Sequence, residues 1–493
     1  MKCLNRPLRS ALALLAVGAA LSPAHAAELL DRAVLPGASF STGPTSAQFA
    51  NGGNGVVTPF INKQPVQGFS AVLPGSDEGT YLVMSDNGFG NKANSNDALL
   101  RVYSVRPDFK HGTVAPVNRF TGEELRDFTS ESYITLSDPW NRVPFAIVAD
   151  GAVYPSTPVG GGAAIPVDPS IKANRLLTGS DFDIESIRRA PDGTLWFGDE
   201  FGPYLIHTDS KGRVLEAPIA LPNFRKLPST LGGTDVNPLI QAVSNPTRTL
   251  PANLADSGGF EGMALNASRT KLYALLEKAV SGDPVRERLL INEFSLKERR
   301  YTGKTFAYPM ESASNAIGDF TALTDTQFLI IERDSGQGDA SDPRFTNPAR
   351  FKKIYKIDLQ RVASNGMLIK EEVVDLMNIY DPRDVAGDGK ANTVFTFPFT
   401  TIEDVLVLDN NRLLVINDNN YPGSAGREFG VPDNNEFIVL HTAPLLDCDG
   451  GKDHGKGKDK DWGKERHDRD YRGYDDRGRD HDRDDKECRP AKE

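Results

Sequence analysis

The sequence predicts an all-β chain folded as a β-propeller of four-stranded blades, and three observations carry that prediction. Short apolar runs rich in Val, Ile, Leu, Phe and Tyr are punctuated by turn dipeptides such as Asp192-Gly193, Lys211-Gly212, Asn365-Gly366 and Asn410-Asn411. No long stretch carries the apolar period of a helix. A two-part pattern recurs five times, and self-similarity of that kind is the mark of a repeat architecture.

The downstream half of the pattern is a short apolar strand running into a polar end: Asp86-Asn87, Asp199-Glu200, Glu277-Lys278, Glu332-Arg333-Asp334 and Asn417-Asp418-Asn419. The upstream half is Gly68-Phe69-Ser70, Ile184-Glu185-Ser186, Phe260-Glu261-Gly262, Asp319-Phe320-Thr321 and Ile402-Glu403-Asp404. One unit reads strand by strand. Residues 182–189 are the first strand, Pro191-Asp192-Gly193 a hairpin turn and 194–198 the second strand. Residues 204–208 are the third, and 214–220 follow the Lys211-Gly212 turn as the fourth. Such a meander is the unit of a propeller blade. Units near Phe260, Phe320 and Glu403 repeat it.

The interval from Phe69 to Glu185 is long enough for an additional, degenerate blade drawing on 133–136 and 145–149. The count is therefore six blades, with five and seven as alternatives. Gly- and Pro-rich stretches at 151–170, 222–256 and 381–398 read as loops on the blades. Because blades add around a ring without enlarging one central core, about 420 residues can fold this way despite the usual size of a single-core domain.

Both ends differ from this body. Lys2, Arg6 and Arg9 precede an apolar run over 11–20 and a small-x-small site at Ala24-His25-Ala26. Residues 1–26 are thus expected to be a signal peptide, with a periplasmic or secreted product. No later run is apolar enough to span a bilayer, so no membrane span is expected. Residues 449–493 are almost wholly Asp, Lys, Arg, Gly and His and are expected to be a disordered tail. Cys448 and Cys488 bracket it, and in an oxidising compartment a disulfide between them would close it into a loop.

Of 56 basic and 67 acidic residues, the tail holds 14 and 15 and the first 26 residues three and none. Residues 27–448 therefore carry 39 basic and 52 acidic residues, a net charge of about −13. A body of that sign lacks the basic face that nucleic acid requires. It suits bound cations.

The repeated acids should meet. The two strands of each pattern are antiparallel neighbours joined by a tight hairpin, so the start of the first and the end of the second share one end of the blade. In a propeller the first strands line the central channel. Glu185 with Asp199, Glu261 with Glu277, and Glu403 with Asn417 and Asp418 are expected at one mouth, joined by Asp86, Asp319 and Glu332. Phe69 and Phe320 take the Glu place in the other two units, so the ring is lopsided. Clustered carboxylates must bind a cation, pair with Lys or Arg, or keep protons. Hard oxygen donors suit Ca²⁺, with Mg²⁺ as the alternative. Asp86, Asp199, Glu261, Glu277, Glu332, Glu403 and Asp418 are the expected metal ligands. Glu185 and Glu200 are candidates to activate water, and Arg333 and Arg427 to hold an anionic substrate. For each acid taken singly, capping a turn is the competing role.

Other chemistries lack their residues. The nucleophile elbow G-x-S-x-G is absent, as are a P-loop, a dinucleotide-binding turn and H-E-x-x-H. Between the two ends only His111, His207 and His441 occur, too few for a His-based zinc site, and His207 reads as structural. The stretch Asp381-Pro-Arg-Asp384-Val-Ala-Gly-Asp388-Gly389 looks like a calcium loop but departs from EF-hand spacing and reads as a polar surface turn.

Four segments resemble the phytase-like family of exported bacterial proteins, the domain described as "esterase-like activity of phytase". They are Asp181-Phe-Asp-Ile-Glu185-Ser186, Gly193-Thr-Leu-Trp-Phe-Gly-Asp199-Glu200-Phe201-Gly202-Pro203-Tyr204, Gly259-Phe260-Glu261-Gly262, and Asn417-Asp418-Asn419-Asn420-Tyr421-Pro422-Gly423 with Arg427. The resemblance covers roughly 60–445 and implies a propeller-like fold and an ester or phosphoester hydrolase. The expectation is an exported metal-dependent hydrolase, monomeric, acting on a small anionic ester at the channel mouth. A non-catalytic Ca²⁺-binding propeller that binds a ligand or surface polymer, and a carboxylesterase or lactonase, are the alternatives.

Overall fold

The computed structural model describes residues 27–225, 237–387, 389 and 393–446. The expected signal peptide, the charged tail and both of its bracketing cysteines lie outside the described residues. The chain opens with β1 (Glu28–Leu35) and a small hairpin, β2 (Phe40–Thr42) and β3 (Lys63–Pro65). The first blade is β4 (Phe69–Pro74), β5 (Tyr81–Ser85), β6 (Arg101–Asp108) and β7 (Thr113–Pro116), with β8 (Tyr133–Thr135) added against β6. A short helix α1 (Pro169–Asn174) lies in the loop before the second blade. That blade is β9 (Ile184–Arg189), β10 (Leu195–Asp199), β11 (Tyr204–Thr208) and β12 (Ile219–Ala220). The third is β13 (Phe260–Leu265), β14 (Lys271–Leu276), β15 (Arg288–Ser295) and β16 (Arg300–Pro309). The fourth is β17 (Ala316–Ala322), β18 (Gln327–Arg333), β19 (Lys352–Val362) and β20 (Leu368–Asp375). After the hairpin β21 (Ile379–Asp381) and β22 (Thr393–Phe395) come β23 (Asp404–Val407), β24 (Arg412–Ile416) and β25 (Asn435–His441).

The last three strands lack a fourth from their own neighbourhood. β1 supplies it, running antiparallel to β25 over most of its length. The ring thus closes by joining the first described strand to the last. A single parallel pair, Val34 with Thr113, ties the same strand to the outer edge of the first blade.

Among the described residues there are five four-stranded units, and their innermost strands β4, β9, β13, β17 and β23 touch in cyclic order. The propeller is as expected; the blade number is five, one of the alternatives, and not six. Residues 133–135 pair onto the first blade as an extra strand, and Phe145 packs against Phe182 and Tyr204 without entering a sheet. The long interval is therefore loop and not blade.

The core is divided among the five seams between blades. Successive strand residues point to opposite faces, so each strand feeds two seams. In β18, Phe328 and Ile330 pack toward the third blade, while Leu329 and Ile331 pack toward the fifth. Both faces are buried, which is why these strands read as continuous apolar runs. Each fully buried Phe, Leu or Ile contributes roughly 2–3 kcal/mol. The inner strands approach closely because glycine faces the neighbour. A Cβ on Gly262 would stand 2.7 Å from the Phe320 Cβ, and one on Gly318 would stand 2.3 Å from the Ile402 carbonyl oxygen.

Arg188 bridges the middle of the ring. From β9 its guanidinium donates to Asp319 Oδ1 at 2.8 Å and to the Phe320 carbonyl at 2.7 Å, both on β17. The contact thus links the second blade to the fourth past β13 of the third. No helix among the described residues is long and apolar enough to cross a membrane.

Candidate functional site

The blades deliver their acids through one repeated device. In β9, Ile184 faces Asp199 and Ser186 faces Gly198, which leaves Glu185 as the extra residue of a β-bulge. In β13 the extra residue is Glu261, and in β4 it is Ser70. A bulge re-aims the side chain it carries. The downstream partners are the residues just beyond the second strands: Asp86, Glu200 and Glu277. Each donates its backbone N–H, at 2.8 Å, to the residue before the first strand: Gly68, Asp183 and Gly259 respectively. That bond ties the two halves of the pattern at one end of the blade. In the fourth blade the equivalent downstream residue is Arg333, and in the fifth the pair is Glu403 and Asp418.

The result is a buried acidic mouth. A carboxylate oxygen from each of Asp183, Glu185 and Glu200 lies within 4.8 Å of the others, and the same holds for Glu200, Glu261 and Glu277. That spacing matches the separation of oxygens around a cation bound at about 2.4 Å. All five residues are at most 8% exposed. Asp183 Oδ1, Glu200 Oε1 and Glu261 Oε1 are buried without a hydrogen-bond partner. Two cations stand among them. Lys278 Nζ is 2.7 Å from Glu277, and Arg333 Nη2 is 2.8 Å from Glu403 and 3.8 Å from Glu261. Ser70 Oγ donates to the other oxygen of Glu403 at 3.0 Å. Asp418 accepts from Thr401 Oγ1 at 2.9 Å and from the Asn420 backbone.

Burial is the main cause of the electrostatic state. It pushes the carboxyls of Glu185, Glu200 and Glu261 well above the usual range, and their mutual repulsion adds to it. Burial followed by the charges of Asp418 and Asp183 does the same to Asp86. Asp418 is pushed up to about 8 by burial, with Glu403 adding to it. Burial and mutual repulsion thus favour the protonated form of these carboxyls, and Glu185 comes within hydrogen-bonding reach of Asp183. A divalent cation would replace those protons. The donors are all oxygens, with no His or Cys, which suits Ca²⁺ or Mg²⁺ over softer metals.

Beside Asp86, a cavity of about 350 Å³ opens between the 86–94 loop and the 420–424 loop, lined by Phe89, Asn94, Asn420, Tyr421 and Ser424 among others. Asp86 is half-buried and joins this cavity to the acid cluster.

A family model described as "Phytase-like: Esterase-like activity of phytase" matches residues 64–421. The chain belongs to this family. The matched segment holds every residue of the acidic mouth and stops before β25, so the strands that close the ring lie outside it. A relative by sequence is a protein of Arthroderma benhamiae described as an uncharacterized secreted protein, 26% identical over 214 residues. That match spans 38% of this chain and 39% of the relative. Solved structures similar to this phytase-like chain include a calcium-binding protein, regucalcin, from Agrobacterium tumefaciens: 11% identity, 83% of this chain, 99% of that one, TM-score 0.30. Another is the periplasmic gluconolactonase PpgL of Pseudomonas aeruginosa: 12% identity, 78% and 90% coverage, TM-score 0.29.

In the phytase-like chain, Asp86, Glu185, Glu200, Glu261, Glu277, Arg333, Glu403 and Asp418 come together at the mouth, as their pattern predicts. Three other candidates are engaged elsewhere. Asp199 precedes Glu200 by one residue and so faces the other way. Its oxygens accept from the Asp183 N–H at 2.9 Å and the Gly202 N–H at 2.7 Å, bracing the loop. Glu332 stands in the same relation to Arg333. It accepts from Tyr308, Asn315, Lys370 and the Glu311 backbone. Arg427 makes two parallel 2.9 Å bonds to Glu436 and a third to the Thr396 carbonyl, away from the mouth.

The sequence pattern also missed residues. Asp183 stands where the first and third blades have Gly68 and Gly259, so repetition could not mark it. Its only signal is the spacing Asp183-Ile-Glu185, which puts two acids on one side of an extended segment. Ser70, and not Phe69, takes the place of Glu185, and in the fourth blade the bulge is Gly318 with Asp319 in place of Phe320. His207 has the structural role expected, stacked 4.1 Å from Trp196 and bonded to Glu216. Asp381 caps its own loop through the N–H groups of Val385 and Ala386.

Proposed function

We propose that this phytase-like propeller is an exported, cation-dependent ester hydrolase acting at its acidic mouth, with a phosphoester as the substrate. The observation that carries the reading is the set of buried carboxylate oxygens on Asp183, Glu200 and Glu261 that receive no hydrogen bond, beside two cationic side chains. Unpaired buried carboxylates are costly, and a bound cation offsets that cost. Asp183, Glu185 and Glu200 are the ligands for Ca²⁺ or Mg²⁺. When bound, the ion supplies positive charge to the phosphoryl oxygens.

The chain's own residues do the rest. Arg333 and Lys278, on adjacent blades, face the mouth and attract and orient the anion. The cavity beside Asp86 receives the organic part of the ester, with amide groups from Asn94 and Asn420 and rings from Phe89 and Tyr421. Asp86 is the most accessible acid of the mouth and borders that cavity. It is the group placed to take the proton of the attacking water. Export is supported by the basic and apolar N-terminus and by the secreted description of the Arthroderma relative.

The test is release of phosphate from phytate and from nitrophenyl phosphate by purified protein, with calcium and with chelator. Calcium-dependent release supports the reading. Equal rates in chelator remove the metal role. Turnover of nitrophenyl acetate or a lactone without phosphate release transfers the site to carboxylic esters, and no turnover of any of these makes it a binding propeller.

A further inference from the structure

We infer that the mouth holds two divalent cations, bridged by Glu200. This deepens the reading above and rests on it for the presence of a first ion. Glu200 belongs to both clusters of mutually close ligand oxygens, one with Asp183 and Glu185, the other with Glu261 and Glu277. The clusters differ in origin. The first is built wholly on the second blade. The other reaches from the end of β10 across to both halves of the third blade's pattern. A second observation points to ligands on each side of the bridge: Asp183 Oδ1 on one, Glu261 Oε1 on the other, and Glu200 Oε1 itself are buried without a hydrogen bond, Glu261 Oε1 having only the Arg333 guanidinium at 3.8 Å.

Charge supports the count. Eight carboxylates, those of Asp86, Asp183, Glu185, Glu200, Glu261, Glu277, Glu403 and Asp418, are met among the described residues by the ion-paired Lys278 and Arg333, with Lys352 acting on Glu403 alone. One divalent ion leaves much of that excess in place. A pair about 3.5–4 Å apart, the separation in carboxylate-bridged two-metal sites, removes more of it.

The two sites are unequal. Among the described residues no cationic side chain is ion-paired to Asp183 or Glu185, so an ion there meets uncompensated acids. The other cluster has Lys278 on Glu277 at 2.7 Å and Arg333 at 3.8 Å from Glu261. An ion entering it must displace the Lys278 ammonium and tolerate the Arg333 guanidinium. Lys278 is a long, partly exposed side chain that can swing out, so it acts as an occupant that yields to the second ion.

Calcium titration of metal-stripped full-length protein by calorimetry, with bound metal counted by elemental analysis, tests this without substrate. The expected result is two ions per chain in two steps. Asp183→Asn removes the tight step, Glu277→Gln removes the weak one, and Glu200→Gln weakens both. Lys278→Met strengthens the weak step by about tenfold, since a like charge no longer competes. Circular dichroism of each variant separates lost binding from lost folding. One ion per chain overturns the inference, and so do two ions whose steps are both unmoved in Glu200→Gln or Lys278→Met. Because no substrate is present, two bound ions without hydrolysis would sink the hydrolase reading and leave the bridged pair. Calcium-dependent hydrolysis with one ion would do the reverse.

Discussion

The Arg333 guanidinium donates a 2.8 Å hydrogen bond to Glu403 Oε1 across the seam between the fourth and fifth blades. Both side chains are buried, and Ser70 of the first blade holds the second oxygen of Glu403. Three blades are thereby tied at the rim of the mouth. Replacing Arg333 leaves Glu403 and Glu261 without that partner. Arg333→Met is expected to lower stability by about 3–5 kcal/mol, the usual result of stranding one member of a buried pair. It is also expected to raise KM for an anionic ester. Chemical denaturation and steady-state kinetics read the two effects separately, and an unchanged KM would remove Arg333 from substrate binding.

Asp404 gives a prediction of opposite sign. It is fully buried, and neither carboxyl oxygen has a hydrogen-bond partner among the described residues. Burial, and then the charge of Asp319, pushes it well above the ordinary carboxylate range. A group raised in the folded state favours folding fully below its unfolded value, and that contribution is lost as pH rises through the folded value. Asp404→Asn removes this titration. The variant is expected to unfold at higher denaturant than the parent at pH 9, with the gap narrowing at pH 5. A wider gap at pH 5 would contradict it.

The mouth as a whole follows the same sign. Glu185, Glu200, Glu261, Glu403, Asp86 and Asp418 are all raised, Asp418 to about 8. Unfolded carboxyls titrate near about 4. Metal-stripped protein is therefore expected to lose melting temperature between about pH 4 and pH 8. Calcium competes with the protons, so its addition raises Tm more at pH 8 than at pH 5. A calcium shift independent of pH would show that the ion binds elsewhere.

Arg427 separates stability from activity. It shares Glu436 with Arg32 of β1, and each arginine makes two 2.9 Å bonds to that carboxylate. Arg427→Ala is expected to cost about 2–4 kcal/mol while leaving KM of the folded protein unchanged. Titration of folded fraction alongside activity checks this; a changed KM at full folding would bring Arg427 back to the site.

Much of this arrangement was legible in the sequence because a propeller repeats its chemistry at a fixed place. The acids at Glu185, Glu261 and Glu403 and their downstream partners were visible as a pattern, and a hairpin argument sufficed to bring them together. What escaped was register. One residue separates Glu200 from Asp199 and Arg333 from Glu332, and in a strand one residue is the difference between two faces. The bulges at Ser70, Glu185 and Glu261 shift that phase, and nothing in a single sequence announces a bulge. Asp183 hid behind the glycines of its counterparts. The role of Arg427 depended on β1, whose partner lies about four hundred residues away, beyond any local signal.

That distant pairing bears on how the molecule comes into being. The seam between β1 and β25 joins the earliest described strand to the latest, so the ring cannot shut until nearly the whole propeller has been made. Until then the inner faces of the first and fifth blades, with Phe69, Leu406 and Phe437 between them, have no cover. A chain that still lacks β25 exposes that wedge, and any truncation that removes β25 leaves it open for good.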